Sequence, residues 1–94
     1  MPRIAAEFRF LEMTESQYDA LIADFEAAEA ADPSLAAERV IHVAMPDGGG
    51  WLAFDVWDSA EAFERLGETL GPIFAKHGIA PVQPRVYPVH NTMM

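Results

Sequence analysis

The chain has 94 residues, of which 51% are hydrophobic and 22% charged, a composition typical of one globular domain. Six Lys and Arg against fifteen Asp and Glu give a formal net charge of −9. That charge argues against nucleic acid and anionic membrane surfaces as partners, because both are bound through clustered basic residues. The absence of cysteine excludes disulfides, thiol catalysis and Cys-ligated zinc. No apolar run approaches the ~20 residues of a membrane span and no signal peptide is apparent, so we expect a cytoplasmic protein.

The first 34 residues predict a strand followed by a helix. Residues 3–10 alternate between apolar and polar side chains, which is the period of a half-buried strand. Thr14 and Gln17 have the spacing of a capping box, and an apolar stripe at helical spacing follows from Tyr18 onward. Pro33 ends this helix, since the residue before a proline is disfavoured in helical geometry.

The middle of the chain predicts a β-hairpin. Residues 39–45 are rich in β-branched side chains and predict the second strand. Three glycines within residues 46–50 supply the turn. Residues 51–57 predict the third strand, paired to the second.

The last third predicts a helix and a final strand. Asp58 or Ser59 caps the second helix, which we expect to break at Gly71-Pro72 before one further turn ends at Gly78. Residues 82–89 predict the last strand. It contains two prolines that cannot donate to a ladder, so we expect it to be bulged or to lie at an edge.

The predicted order β-α-β-β-α-β gives an α+β fold of the ferredoxin-like class, with one domain over residues 1–94. Its four-stranded antiparallel sheet carries both helices on one face, with the first strand between the third and fourth. Leu52, Phe54 and Val56 are expected under the helices, which leaves Trp51 and Trp57 on the uncovered face. Such a face needs a cover, and a second copy of the chain is the simplest one, so we expect a homodimer. A monomer with an open ligand face is the alternative.

Several segments resemble a known superfamily. Residues 54–63, Phe-Asp-Val-Trp-Asp-Ser-Ala-Glu-Ala-Phe, resemble the strand-to-helix segment of dimeric α/β-barrel proteins of the antibiotic biosynthesis monooxygenase-like type. Residues 41–44, Gly50-Trp51 and residues 87–91 are similar to small actinobacterial-type members. The resemblance implies a dimeric α/β barrel. It leaves function open, because the superfamily includes cofactor-free oxygenases, heme degraders, isomerases and cyclases.

The candidate site follows from strand parity. In the dimer, we expect the uncovered face to form the wall of a pocket between sheet and helices. A functional pocket needs a volume of ~300 Å³. His42 is the candidate general base and Asp55 orients it, although a structural histidine bonded to a carboxylate gives the same pattern. Both parities of the second strand are apolar, so the face of His42 stays open. The candidate ligand-binding residues are Trp57, Arg85, Tyr87, Trp51 and His90, the last at the pocket mouth.

No metal site is predicted, because the three histidines lack short ligand spacing. Heme binding through His77 is a remote alternative that the resemblance suggests by position. Leu66 stands where the heme-degrading members have a tryptophan, and the first strand lacks their asparagine, so no cofactor is expected. The sequence therefore predicts a small-molecule-binding dimer, with cofactor-independent monooxygenation or acid/base chemistry on an aromatic or polyketide-like compound. A non-catalytic interaction module is the alternative.

Overall fold

A computed structural model describes residues 3–93 and has the predicted order of elements. The elements are β1 (Ile4–Phe10), α1 (Glu15–Ala31), a short 3-10 turn (Pro33–Ala36), β2 (Arg39–Asp47), β3 (Gly50–Trp57), α2 (Ala60–Lys76) and β4 (Arg85–Pro88). The strands form one sheet in the order β2-β3-β1-β4, and every neighbouring pair is antiparallel. The ferredoxin-like prediction is confirmed, including the place of β1 between β3 and β4. No helix within the described residues is long and apolar enough to cross a membrane.

Both helix starts are fixed by side-chain caps. Thr14 accepts a hydrogen bond from the Gln17 backbone N–H at 3.1 Å, and Gln17 Oε1 accepts one from the Thr14 N–H at 2.9 Å. This reciprocal pair is the predicted capping box. At α2 the cap is Ser59, whose hydroxyl accepts from the Ala62 N–H at 3.2 Å. The structure thereby decides between the two predicted caps.

The predicted break at Gly71-Pro72 is wrong. α2 runs without interruption from Ala60 to Lys76 and contains Pro72. A proline removes one hydrogen bond to the carbonyl four residues earlier, here that of Glu68. Glu68, Gly71 and Pro72 are all exposed, so water can satisfy that carbonyl. The helix ends before Gly78, which has a φ of +66° as predicted for a glycine terminator.

The last strand is shorter than predicted. Only Arg85–Pro88 pairs with β1, and β4 lies at the edge of the sheet. Pro81 and Pro84 precede the paired segment and have no N–H to donate, which explains why pairing begins after them. The edge position is confirmed and the start at residue 82 is wrong. The end agrees with the prediction to within one residue, since the Val89 N–H still donates to the Arg3 carbonyl at 2.9 Å.

The core lies between the sheet and the two helices. Phe10 packs edge-on against Phe74 with ring centroids 5.7 Å apart, and Trp57 packs against Phe63 at 6.2 Å. At the start of β3 the backbone of Gly50 approaches β1 so closely that an added Cβ would lie 1.9 Å from the Phe10 carbonyl oxygen. Only glycine fits at this point of contact between β1 and β3.

Candidate functional site

The predicted parity of β3 is wrong, and this correction locates the site. Trp57 is 0% exposed and Asp55 is 5% exposed beneath the helices, whereas Phe54 is 38% exposed on the open face. Trp57 and Ala53 of β3 pair with Ile4 and Phe8 of β1, so all four side chains lie on the face of the sheet that the helices cover. The inward residues of β3 are Trp51, Ala53, Asp55 and Trp57, so this parity buries two tryptophans, and the small Ala53 leaves room for Phe8 beside it.

The same correction applies to Trp51 and β2. Trp51 pairs with Phe10 and packs against the core beneath the helices, not on the uncovered face. His42 pairs with Asp55 in the register of β2 and β3. The large side chains of Ile41 and Val43 are 47% and 42% exposed on the open face. The open question about His42 is thereby answered, since it faces the helices.

Four side chains form one hydrogen-bonded chain inside the protein. His42 Nδ1 lies 2.5 Å from Asp55 Oδ1, and His42 Nε2 lies 2.7 Å from the Tyr18 hydroxyl oxygen. The Trp57 indole N–H donates to Asp55 Oδ2 at 3.3 Å. A neutral imidazole with its proton on Nδ1 satisfies every contact, because Asp55 accepts that proton and Nε2 accepts from Tyr18. The buried Asp55 carboxylate is thus held by two donors.

Tyr18 lies edge to edge with His42 and face to face with Trp51. The Tyr18 and His42 rings are parallel within 6°, but their centroids are 6.3 Å apart along the hydrogen bond, so they are coplanar and not stacked. The Trp51 ring stacks on Tyr18 at 5.1 Å. Burial, followed by the charge of Asp55, raises the pKa of Tyr18 above its ordinary value of 10.0. Tyr18 is therefore a neutral phenol at pH 7 and donates its proton to His42.

A small cavity adjoins this chain of side chains. It is lined by Tyr18, His42, Asp55 and Arg39 and by mostly apolar residues of β1 and both helices, among them Phe8, Leu21, Phe25, Leu66 and Phe74. The Arg39 guanidinium lies 5.5 Å from the Phe25 ring centroid. The cavity volume is about 60 Å³. That is room for a few water molecules and is well below the ~300 Å³ of a ligand pocket.

Three of the predicted ligand-binding residues lie away from this cavity. Tyr87 pairs with Ala5, and Arg85 with Glu7, on the outer side of the sheet. Arg85 lines a polar surface hollow of about 350 Å³ together with Glu7, Arg9 and Gln83. His90 is exposed beyond the end of β4. The structure therefore brings together His42, Asp55, Trp57 and Trp51, and separates them from Arg85, Tyr87 and His90.

The surroundings of His77 do not fit a heme. Its Nε2 lies 2.6 Å from Asp24 Oδ2, and the same oxygen accepts from Lys76 Nζ at 3.0 Å. These hydrogen bonds, that from His77 first, lower the pKa of Asp24 below its ordinary value of 3.8. His77 does not line the inner cavity. The imidazole joins the two helices at their surface, and we do not propose heme binding. Among residues 3–93, no three His, Asp or Glu side chains are grouped as metal ligands would be.

Solved structures share this fold over nearly the whole chain. A variant of SnoaB, a cofactor-independent oxygenase from Streptomyces nogalater, has a TM-score of 0.68 at 16% identity, with 99% of this chain and 98% of that chain covered. A candidate antibiotic biosynthesis monooxygenase from Chloroflexus aurantiacus has a TM-score of 0.62 at 19% identity over 98% and 97% of the two chains. One from Caulobacter crescentus has 0.61 at 13% identity over 98% and 92%.

These likenesses show that the chain has the fold of antibiotic biosynthesis monooxygenase-like proteins, as the resemblance implied. No family profile matches the sequence, and no curated protein matches it. The oxygenase activities are properties of those proteins. What this chain does has to be argued from its own side chains.

Tyr18 is the site residue that the sequence analysis missed. The sequence places Tyr18 in the apolar stripe of α1, and a tyrosine buried there needs a hydrogen-bond partner for its hydroxyl. This requirement is the feature of the sequence that could have identified Tyr18. It points to a polar group on the strand beneath the helix, and only the inward parity of β2 identifies that group as His42.

Proposed function

We propose that the protein is a homodimeric small-molecule-binding protein that performs cofactor-independent oxygenation or acid/base chemistry on an aromatic compound. The observation that carries the proposal is the Asp55–His42–Tyr18 chain, which ends in an apolar cavity. A carboxylate that holds one imidazole nitrogen leaves the other as a proton acceptor, which is the arrangement of a general base.

The roles follow from the contacts. His42 Nε2 takes a proton from an acidic position of the substrate, and Asp55 stabilises the imidazolium that forms. Trp57 is a positioning residue, since its indole N–H holds the second Asp55 oxygen. Arg39 lines the same cavity and supplies the positive charge that an anionic intermediate needs.

Oxygenation at such a site needs no external reductant. A ring CH₂ that is conjugated to a carbonyl through the flanking aromatic rings loses a proton to His42, and the carbanion reacts with O₂. One oxygen atom ends in the new C=O and the other in water, so the substrate itself supplies all four electrons. This chemistry is in line with the cofactor-independent oxygenase among the structural relatives.

Dithranol, a dihydroxyanthrone with one such CH₂, tests the proposal in an oxygen electrode. We expect one O₂ consumed per dihydroxyanthraquinone formed, and a loss of about 10²-fold or more in rate for His42→Gln. Ser16→Ala, which removes an exposed hydroxyl from α1, is the control and should match the wild type. A rate equal to spontaneous oxidation in the wild type would contradict the oxygenase reading. Exchange of the CH₂ hydrogens for deuterium under nitrogen, dependent on His42, would then assign acid/base chemistry alone.

The homodimer is the second part of the proposal, and the open face of the sheet supports it. Its exposed apolar residues come from three strands and are Ile41, Val43, Met45, Phe54 and Tyr87. A patch of this kind is rarely left in water by a monomer. Pairing of two such faces gives the barrel that the resemblance implies. Sedimentation velocity should give a two-chain species at micromolar concentration, and a single-chain species would contradict the proposal.

The alternative is a non-catalytic dimer module, which the cavity volume of about 60 Å³ favours. In that case the His42–Asp55 pair is structural. One measurement distinguishes the enzyme from the non-catalytic module. Only for the enzyme do we expect an aromatic ligand to bind in a manner that depends on His42.

A further inference from the structure

The candidate base is already engaged by a side chain of its own protein. His42 Nε2, the nitrogen that would take the substrate's proton, accepts a hydrogen bond from Tyr18 at 2.7 Å. His42 Nδ1 is bonded to Asp55. No ring nitrogen of His42 is left for a substrate while Tyr18 stays in place.

The position of the Tyr18 ring has the features of a binding slot for an aromatic molecule. One face of the ring stacks on Trp51, and its hydroxyl meets the base, so the slot offers an aromatic wall and a proton acceptor at one end. The cavity beside it, about 60 Å³, is too small for an aromatic ring of any substrate. An aromatic ligand that reaches His42 therefore has to take the space that Tyr18 fills.

A second observation at this slot is independent of His42. The Trp51 indole N–H is buried and has no hydrogen-bond partner among the residues that the structure describes. Buried donors are seldom left unpaired in proteins, and the exceptions often mark a functional role. A ligand with an acceptor group beside its ring would satisfy this donor.

We infer that Tyr18 is an internal stand-in for the substrate, and that the substrate class is a planar phenol whose hydroxyl replaces that of Tyr18 at His42 Nε2. The inference rests on the proposed function and deepens it, because the enol form of such a CH₂ substrate is itself a phenol. Loss of its hydroxyl proton to His42 gives the same anion as loss of the CH₂ proton. The exchange replaces one phenol by another, stacked on Trp51 and hydrogen-bonded to His42. Tyr18 is only partly buried and lies near the start of α1, so part of this residue is already in contact with solvent. Until a phenol arrives, Tyr18 keeps the base paired and water out.

The test measures the binding of β-naphthol and of its methyl ether, which has the same ring system without the proton. Fluorescence titration gives both dissociation constants, and naphtholate emission reports a proton acceptor beside the bound hydroxyl. We expect the wild type to prefer β-naphthol by about tenfold, and His42→Ala to abolish that preference. Tyr18→Phe should bind β-naphthol roughly tenfold more tightly, because the competing hydroxyl is gone and His42 Nε2 lacks a partner.

Two further variants keep the test decisive. Tyr18→Ala empties the slot and should tighten the binding of both ligands, provided its thermal unfolding still shows a folded protein. Ser16→Ala removes a hydroxyl from the same helix and should change neither dissociation constant. Weaker binding of β-naphthol to Tyr18→Phe than to the wild type would overturn the inference, since Tyr18 would then be a fixed contact or relay. Binding that no variant shows, or that ignores His42, would overturn the proposed function as well.

Discussion

The two faces of the sheet bury their side chains in different ways. The helix-covered face combines large apolar residues with an internal chain of polar groups, in which the buried Asp55 is held by His42 and Trp57. The open face carries exposed aliphatic and aromatic side chains such as Val43 and Phe54. An ordinary two-layer domain would show water-facing polar residues there. This difference between the faces supports the proposal that the ligand binds on the covered face and that two chains associate through the open one.

The largest effect is expected from a charge on the open face. Val43→Glu adds a carboxylate at the centre of the proposed dimer interface. The carboxylates of the two chains would face each other there, shielded from water, and would repel. We expect the dimer dissociation constant to rise by about 10³-fold, or about 4 kcal/mol, because unpaired interface charges cost several kcal/mol.

Analytical ultracentrifugation measures this change, and circular dichroism checks that the monomer stays folded. Ala23→Glu adds the same charge to the exposed side of α1 and is the matched control. An unchanged dissociation constant in the Val43 variant would remove the open face from the interface.

A substitution where β1 and β3 meet should disturb both faces together. The Cβ of Gly50→Ala would lie 1.9 Å from the Phe10 carbonyl oxygen and 2.7 Å from the backbone of Leu11. Since both neighbours are backbone, β3 has to move against β1, and we expect a loss of about 3 kcal/mol in unfolding free energy. Chemical denaturation measures it. Gly49→Ala meets nothing within 4 Å and should stay within about 1 kcal/mol of the wild type.

A change on the covered face alone should be smaller. Asp55→Ala leaves the His42 Nδ1–H and the Trp57 indole N–H without their acceptor, and we expect a loss of about 2 kcal/mol from the unsatisfied donors. Asp47→Ala, which removes the exposed partner of Arg9, is the control and should cost at most about 1 kcal/mol. Similar losses in both variants would mean that the buried hydrogen bonds of Asp55 stabilise the protein no more than the exposed ion pair of Asp47 does. His42→Ala removes a donor from the buried Asp55 carboxylate and the acceptor of the Tyr18 hydroxyl, so we expect a stability loss of similar size to that of Asp55→Ala.

The smallest effect is expected where the two helices meet at the surface. Hydrogen bonds from His77 and Lys76 lower the pKa of Asp24 below 3.8. A lowered pKa in the folded state stabilises the protein above the unfolded pKa, and this contribution is lost as the pH falls through the folded value. Asp24→Asn should therefore unfold at a lower temperature than the wild type at pH 6, and the difference should shrink below pH 4. A difference that grows toward acid would contradict the assignment.

The elements of the fold could be predicted from the sequence, and their orientation could not. Thr14 with Gln17, the glycine turn and the alternation in β1 each encode local structure, and all three are confirmed. Strand parity is different, because both faces of β2 and β3 carry apolar residues. Local bulk favours Phe54 inside, but the inner face instead buries Trp57 beside Ile4, and Ala53 leaves room for Phe8.

The candidate site was therefore predicted in part. The contact between His42 and Asp55 was expected from neighbouring strands and is present. Its place under the helices, and the third member Tyr18, depend on that parity and on how α1 lies across the sheet. Arg85 and Tyr87 were grouped with His42 only because the parity was reversed.

A crystal structure with β-naphthol bound tests most directly whether the covered face binds the ligand and the open face forms the dimer. We expect the ligand beneath the helices, with its hydroxyl within hydrogen-bond distance of His42 Nε2 and its rings stacked on Trp51, and we expect Tyr18 to be displaced. Two chains should be paired through their open faces. A ligand on the open face beside Tyr87 and Arg85, with the bond between Tyr18 and His42 intact, would contradict both the proposed site and the displacement of Tyr18.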